Sequence, residues 1–269
     1  MIVVVLLIMI LIVMYFVYST LWVKFSHVHV GESTDSSKKK IRIIQISDIH
    51  GRSRYLNGSL SKLVNQLQPD YVMITGDLAT KIKQLDGVLV ELSKISCPHL
   101  FVVPGNYERE GLVGWRKQHY SEETYDDIIR RLRAFNMTVL LNEGIDLHTE
   151  GKKLFVYGFD NSYYGNERLT LKEADLHSYD FVIMLAHSPS LIRSPQLEKT
   201  PFDLLLVGHT HGGQIRVLGR TIGAYSHYHV GLKQLDKRRL FYINRGLGTV
   251  RIPLRLACSP EIAVFDYVI

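Results

Sequence analysis

The sequence predicts a layered α/β domain behind an N-terminal apolar helix. Three observations carry that prediction. Short apolar runs recur at Ile41-Arg42-Ile43-Ile44-Gln45-Ile46-Ser47, at Tyr71 to Thr75, at Leu100 to Pro104, at Phe181 to Ala186 and at Leu204 to Val207. Their length and bulk are those of buried strands. Between them, apolar residues repeat at helical spacing: Leu60, Leu63, Val64 and Leu67, then Leu85, Val88, Leu89 and Leu92, then Tyr125, Ile128, Ile129 and Leu132. Strands alternating with amphipathic helices argue for βαβ units. The third observation is that Ile2 to Val23 carries no charged side chain, and about 20 apolar residues suffice for a helix to cross a bilayer.

In chain order, residues 1–23 read as a transmembrane anchor, 24–40 as a polar linker and 41–269 as the globular domain. No Lys or Arg precedes the apolar run and no Ala-x-Ala follows it, so an uncleaved anchor fits better than a signal peptide. Trp22 stands where an interfacial aromatic belongs, and Lys24, Lys38, Lys39, Lys40 and Arg42 all follow the span. The positive-inside rule then puts the C-terminal domain on the cytoplasmic side of a single-pass membrane protein. His27 to Lys40 lacks periodicity and reads as a solvated tether. Pro69 and Pro98 punctuate helix-to-strand turns, because the residue before proline is biased away from helix. After Leu141 strand signals crowd together at Lys153–Gly158, Phe181–Ala186, Leu204–Val207, Leu240–Ile243 and Ile262–Val268.

The chain has 269 residues, two cysteines (Cys97 and Cys258) and a formal charge of +6. The cysteines form no CxxC pair and no disulfide framework. The charge suits anionic substrates or headgroups and is too mild and scattered to argue for nucleic acid.

The strand runs share one property: each ends in a polar ligand-type side chain. Asp48-Ile49-His50 follows the first, Gly76-Asp77 the second and Gly105-Asn106 the third; His187 follows the fourth and Gly208-His209-Thr210-His211 the fifth. In open α/β sheets, ligands gather at these carboxyl ends of strands. Carboxylate, amide oxygen and imidazole together suit Mn, Zn or Fe better than Mg or Ca. A metal site centred on Asp77 follows. The glycines beside these residues fit tight backbone turns around it.

These ordered motifs resemble the calcineurin-like metallophosphoesterases. Gly208 to Gln214, Arg245-Gly246-Leu247-Gly248 and Pro260-Glu261-Ile262 are similar to the bacterial branch that includes the YkuE and YaeI phosphodiesterases. The resemblance runs from about Ile41 to the C-terminus. It implies a four-layer α/β/β/α sandwich and two divalent transition-metal ions. It gives the first ion Asp48, His50, His211 and Asp77, and the second Asp77, Asn106, His187 and His209, with Asp77 bridging. It also implies that a metal-bridging hydroxide cleaves a phosphomonoester, phosphodiester or pyrophosphate, and that the substrate is a phosphorylated small molecule or lipid. Some members of the branch act on UDP-diacylglucosamine, and exported members place the domain outside the cell, against the charge rule.

One position departs from the family pattern. His usually follows Gly-Asn, and here Tyr107 does, followed by Glu108. A phenol with a reference pKa near ~10 is a weak general acid. Asp77, Asn106 and Tyr107 are therefore the expected catalytic residues, with the acid step in question. Tyr107 is also the sole support for an alternative, a catalytically weak metal-binding membrane scaffold. Arg52 and Arg54 are candidates for phosphate oxygens or are solvated loop charges. Arg245, near Arg251 and Arg255, is a second candidate phosphate contact. Arg109 to Thr124, with Trp115, Arg116, Lys117, His119 and Tyr120, has the length of a lid. His227 and His229 match no ligand motif.

Overall fold

Both faces of a strand can be apolar only when both are covered, and the strands of this protein are covered twice. The computed structural model describes residues 1–31, 39–114 and 116–269. Its principal strands are β1 (Lys24–Val30), β2 (Lys40–Ile46), β3 (Tyr71–Ile74), β4 (Leu100–Val102), β5 (Met137–Val139), β6 (Glu143–Thr149), β7 (Lys152–Gly158), β8 (Phe181–Leu185), β9 (Leu204–Val207), β10 (Gly231–Gln234), β11 (Leu240–Ile243) and β12 (Glu261–Val268). They form two six-stranded sheets, in the orders β1-β12-β2-β3-β4-β5 and β6-β7-β8-β9-β11-β10. The neighbours β2, β3 and β4 are parallel, as are β8, β9 and β11.

Side chains of a strand alternate between its faces, and the alternation sorts the core into three layers. Ile43, Tyr71, Met73 and Phe101 meet Leu154, Val156, Ile183 and Leu206 between the sheets. Ile44, Ile46, Val72, Ile74 and Val102 turn the other way, onto the helices Leu60–Asn65, Leu85–Leu92 and Glu122–Ala134. On the far side, Tyr157, Val182, Met184, Leu205 and Ile243 pack against Leu176, Leu191, Leu197 and Phe202 from short helical turns. The result is the expected four-layer sandwich. The predicted helical stripes are the buried ones, Leu67 being partly buried. The longest of these helices is capped by the Ser121 hydroxyl, which accepts from Thr124 N at 3.2 Å. Glu122 and Glu123 lie in its first turn and Arg131 and Arg133 in its last, as the helix dipole favours.

The linker reading of 24–40 needs correction. Lys24–Val30 is an edge strand, paired in parallel with β12 from Lys24↔Glu261 to Val30↔Tyr267. Val28 and Val30 turn to the layer between the sheets while His27 and His29 face solvent. The alternation of histidine with valine was thus a strand signal. The sheet begins at Lys24. Of the expected tether, residues 32–38 lie outside the described residues, as does Trp115 of the expected lid.

The helix Ile2–Leu21 spans 20 residues and contains an 18-residue stretch of mean hydropathy 3.0. It is exposed along most of its length, with Ser19 and Thr20 buried and Phe16 and Leu21 half-buried. A core helix would bury a face; this one is long and apolar enough to cross a membrane.

Candidate metal centre

Parallel strands of both sheets end side by side, and the loops after them carry the candidate ligands. The two sheets are pinned there by Gln45, whose amide donates to Thr75 Oγ1 and to Val207 O, each at 3.0 Å. The turns are tight enough to force unusual backbone. Asp48, His50, Asp77, His209 and His211 all have φ between 49 and 69°. Left-handed backbone at non-glycine residues costs energy and concentrates at functional sites. Gly76 itself sits at φ 83°, and a Cβ there would meet Gly105 N and the His187 ring.

Two groups of ligand atoms result. Asp48, His50 and His211 converge within 4.8 Å of one another, and so do Asp77, His187 and His209. Asp48 Oδ1 lies 3.4 Å from His211 Nε2, and His211 Nε2 lies 3.1 Å from His50 Nε2. In the second group, His187 Nε2, His209 Nδ1 and Asn106 Oδ1 form a triangle with edges of 3.0–3.1 Å. Asp77 joins the groups: its Oδ2 is 3.6 Å from His50 Nε2 and 3.3 Å from His187 Nε2. The ligand sets implied by the family resemblance are therefore brought together in space.

The donor chemistry fits cations. His187 Nδ1 donates to Thr75 O at 2.7 Å, which leaves Nε2 with a lone pair in the neutral ring. Asn106 Nδ2 donates to Glu110 at 2.6 Å, so Oδ1 faces the imidazoles. An amide oxygen, a carboxylate oxygen and imidazole lone pairs aimed at one point make a poor hydrogen-bond network and a good ligand cage. Ligands about 2.0–2.2 Å from one ion stand roughly 3.0–3.5 Å from each other, the spacing seen here.

Burial decides the protonation of most of the site. It drives His209 down to about 3, His50 to about 4 and His211 well below its usual value, so their lone pairs are free at neutral pH. Burial also lifts Asp48 to about 7. Burial opposes charge on Asp77 too, but His187 and His50 outweigh it and hold the carboxyl below its usual value. For His187, burial pulls downward, the Asp77 charge prevails and the ring rises to about 9. Before a cation binds, His187 therefore carries a proton at pH 7, which a metal must displace. Metal loading at pH 7 is expected to release more than one proton per chain, close to one from this ring and part of one from Asp48, and affinity should rise with pH up to about 9. Calorimetry in buffers of different ionisation enthalpy checks this; no proton release at pH 7 would refute it.

The surroundings hold the ligands in place. Ser47 Oγ donates to Asp48 Oδ2 at 2.6 Å, and His209 N donates to the same carboxylate at 3.0–3.1 Å. The buried Glu108 carboxylate accepts from Asp77 N, Leu78 N and Gly105 N at 2.6–2.9 Å, fixing both turns. Tyr225 OH lies 3.1 Å from His209 Nε2. Tyr225 and Glu110 had no motif to announce them.

Tyr107 lines the site. Its N–H donates to Asp77 Oδ1 at 2.8 Å, its ring stands edge-on to His50, and its buried hydroxyl has no hydrogen-bond partner among the described residues. Burial pushes the phenol above its usual pKa, so it offers a hydrogen bond and not a proton.

The expected lid is instead a hairpin, Glu110–Val113 against Arg116–His119. It brings Lys117 to Glu110 and to within 5.3–5.4 Å of the Tyr107 and Tyr163 ring centres. A cavity of about 690 Å³ opens over the cluster. Asp77, Asn106, Tyr107, Lys117, His209, His211 and Arg251 line its polar side, and Ile215, Ile222, Tyr225, Val250 and Ile252 its apolar side.

The two arginines expected to touch substrate lie elsewhere. Arg245 donates through Nε to Glu261 at 2.7 Å and through Nη2 to Ser26 at 2.9 Å. It stitches strand β1 to β12 and is outside the cavity wall. Arg52 reaches Thr249 Oγ1 at 3.4 Å and is also outside it. The arginine lining the cavity is Arg251.

Comparison with known proteins agrees with this geometry. The family described as calcineurin-like phosphoesterase matches residues 41–213. A metallophosphoesterase of Helicobacter pylori J99 is 32% identical over 85% of this chain, which spans 60% of that relative's length. Phosphodiesterase YaeI of Escherichia coli K12 is 29% identical, covering 84% of this chain and 82% of its own. The solved NAD nucleotidase of Haemophilus influenzae superposes with a TM-score of 0.53 at 14% identity, over 78% of this chain and 46% of that one; it shares the fold. With strand-end ligands in two groups that meet at Asp77, and with a family match over most of the domain, the chain belongs to the calcineurin-like phosphoesterase family and is a phosphoric ester hydrolase.

Proposed function

We propose that this chain is a membrane-anchored phosphoesterase with a dinuclear centre of Mn, Zn or Fe. It would hydrolyse a phosphomonoester, phosphodiester or pyrophosphate bond on a lipid-linked substrate of the UDP-diacylglucosamine kind. The observation that carries the reading is the Asp77 carboxylate, within 3.6 Å of an imidazole nitrogen of each ligand group. Asp48, His50 and His211 would hold one ion; Asn106, His187 and His209 the other. Two such ions, when bound, lower the pKa of a shared water and stabilise charge on phosphoryl oxygens. The neutral amide of Asn106 leaves the centre net positive toward a phosphate. Lys117 and Arg251 add positive charge on the cavity wall, and the Tyr107 hydroxyl has a free hydrogen to offer a leaving oxygen.

The apolar helix supports anchoring, and the basic residues after it favour the cytoplasmic face. The full chain should stay in the membrane fraction through carbonate washing and cleave a nitrophenyl phosphodiester only after metal loading. Extraction by carbonate would end the anchoring claim. Absence of turnover with two ions bound would end the enzymatic one.

Tyr107 sets a preference among substrates. A hydrogen bond without proton transfer suffices when the leaving group is a phosphate or a nitrophenolate and serves a basic alkoxide poorly. Tyr107→Phe is expected to cost less than ~10-fold on a nitrophenyl ester, well below the ~10²–10⁴-fold of general acid catalysis. A loss of about 100-fold or more with both ions retained would show that the phenol is the acid after all.

A further inference from the structure

Exposed apolar side chains are ordinary when scattered; on this domain six of them gather where the N-terminal helix ends. Leu218 is 97% exposed, Ile222 60%, Leu56 55%, Ile252 50%, Val217 46% and Leu254 42%. Short hydrogen-bond links tie their segments to the helix end. Leu56 N donates to Leu21 O at 2.9 Å, and the Asn57 side chain pairs with both backbone groups of Val23. Arg255 N donates to Thr20 Oγ1 at 2.9 Å, on the loop that carries Ile252 and Leu254. That loop is joined to the 216–221 hairpin through Arg216 N to Leu256 O and Gln214 Nε2 to Ile252 O. Arg220 and Arg251 are exposed among the apolar residues. Apolar side chains interleaved with arginines are the make-up of surfaces that seat in the headgroup layer. Ile222, Arg251 and Ile252 also line the cavity over the metal ligands.

We infer that this edge is a second membrane contact, seated in the leaflet where the helix exits, so that the cavity opens toward the bilayer interface and takes a lipid phosphate directly from it. The inference rests on reading Ile2–Leu21 as a membrane helix. The occupant is the bilayer itself, argued from continuity with the helix exit and from the interleaved positive charge. Substrate headgroups would pass between Ile222 and Ile252 toward Asp77, with the acyl chains left in the leaflet.

The test uses the full chain in vesicles of phosphatidylethanolamine and phosphatidylglycerol. Nitroxide labels are placed by Leu218→Cys, Leu254→Cys, Ile10→Cys within the helix and Val113→Cys at the exposed tip of the 110–119 hairpin; the native Cys97 and Cys258 are buried. Oxygen accessibility relative to a water-soluble nickel chelate should be at least about fivefold higher at 218, 254 and 10 than at 113, because oxygen partitions into lipid. A watery reading at 218 and 254 with a lipid reading at 10 overturns the inference and leaves the anchor standing. A watery reading at 10 as well overturns both. Independently, Val217→Asp with Leu218→Asp should lower turnover of a hexadecyl nitrophenyl phosphodiester embedded in the vesicles by about tenfold or more while changing turnover of soluble bis-nitrophenyl phosphate by less than about twofold, the charges being disfavoured in lipid. Equal losses on both probes would overturn the proposed entry route. A wild-type chain inert toward both would count against the phosphoesterase reading and not against the labels.

Discussion

Asp77→Ala is expected to bind fewer than two ions per chain and to lose at least ~10³-fold in kcat/KM. Removing an outer-shell partner of a metal ligand already costs about 10–100-fold, and Asp77 belongs to one ligand group while lying 3.6 Å from His50 of the other. Its Oδ2 faces His50 and His187, while Oδ1 takes the Tyr107 N–H. With Asp77 as the proposed bridge both groups would lose a ligand, and the turn at Gly105–Tyr107 loses an anchor. Asp77→Asn separates these effects. The amide keeps an acceptor for Tyr107 N–H but no negative charge between the groups, so it should fold like the parent and still fail to hold both ions. Elemental analysis beside a nitrophenyl phosphodiester assay reads both quantities. Two ions per chain, with turnover within about tenfold of the parent, would mean that Asp77 does not bridge.

The largest stability effect is expected at Arg255. This side chain is fully buried, and its guanidinium donates to the carbonyls of Arg245, Gly246, Gly248 and Cys258 at 2.6–3.1 Å. Nη2 also lies 3.4 Å from His211 Nδ1. One cation thus gathers four carbonyls from the two ends of the 245–258 segment and sets them under a candidate metal ligand. Arg255→Leu fills part of the volume and strands the carbonyls of Arg245, Gly248 and Cys258, while Gly246 O keeps Glu261 N. An unpaired buried acceptor costs about 1–3 kcal/mol. These costs do not add fully, because the loop can open to water, so a loss of roughly 3–5 kcal/mol is the reasonable total. Desolvating the guanidinium costs energy too, but that cost is already met in the folded protein, and removing a buried charged partner is destabilising all the same. A fall in Tm of roughly 10 °C follows for a domain of this size. Arg255→Lys should not restore it, since one ammonium cannot reproduce the planar fork. A Tm within about 2 °C of the parent for Arg255→Leu would show that the loop holds itself.

Much of the site was legible in the sequence because metal chemistry restricts residue type and parallel strands restrict position. Asp48, Asp77, Asn106, His187 and His209 each follow an apolar run that can only be a covered strand, and the loops after parallel strands must lie at one end of their sheet. Tyr107 was legible as a departure, though not that its hydroxyl would be buried without a partner. The helices were legible from their stripes, and the sandwich from the resemblance.

What escaped was whatever depends on partners distant in the chain. Strand β1 is polar on one side and sits at a sheet edge, so its alternation is masked by Lys24, His27 and His29. Arg245 looked like a phosphate contact in its Gly-rich setting until Glu261 and Ser26, 16 and 219 residues away, closed around it. Glu110 and Lys117 lie in the Arg109–Thr124 segment whose length suggested a lid, but that they meet each other beside Asn106, and that Tyr225 meets His209, was set by a hairpin and a loop folding over the site. The order and identity of the ligand residues belong to the chain itself, because each is bound to the end of its own strand. The choice of which arginine faces the cavity, which carboxylate orients Asn106 and which apolar loops flank the helix exit was made by tertiary packing. Those roles depend on distances between segments, and distance is set only when the two sheets close on each other.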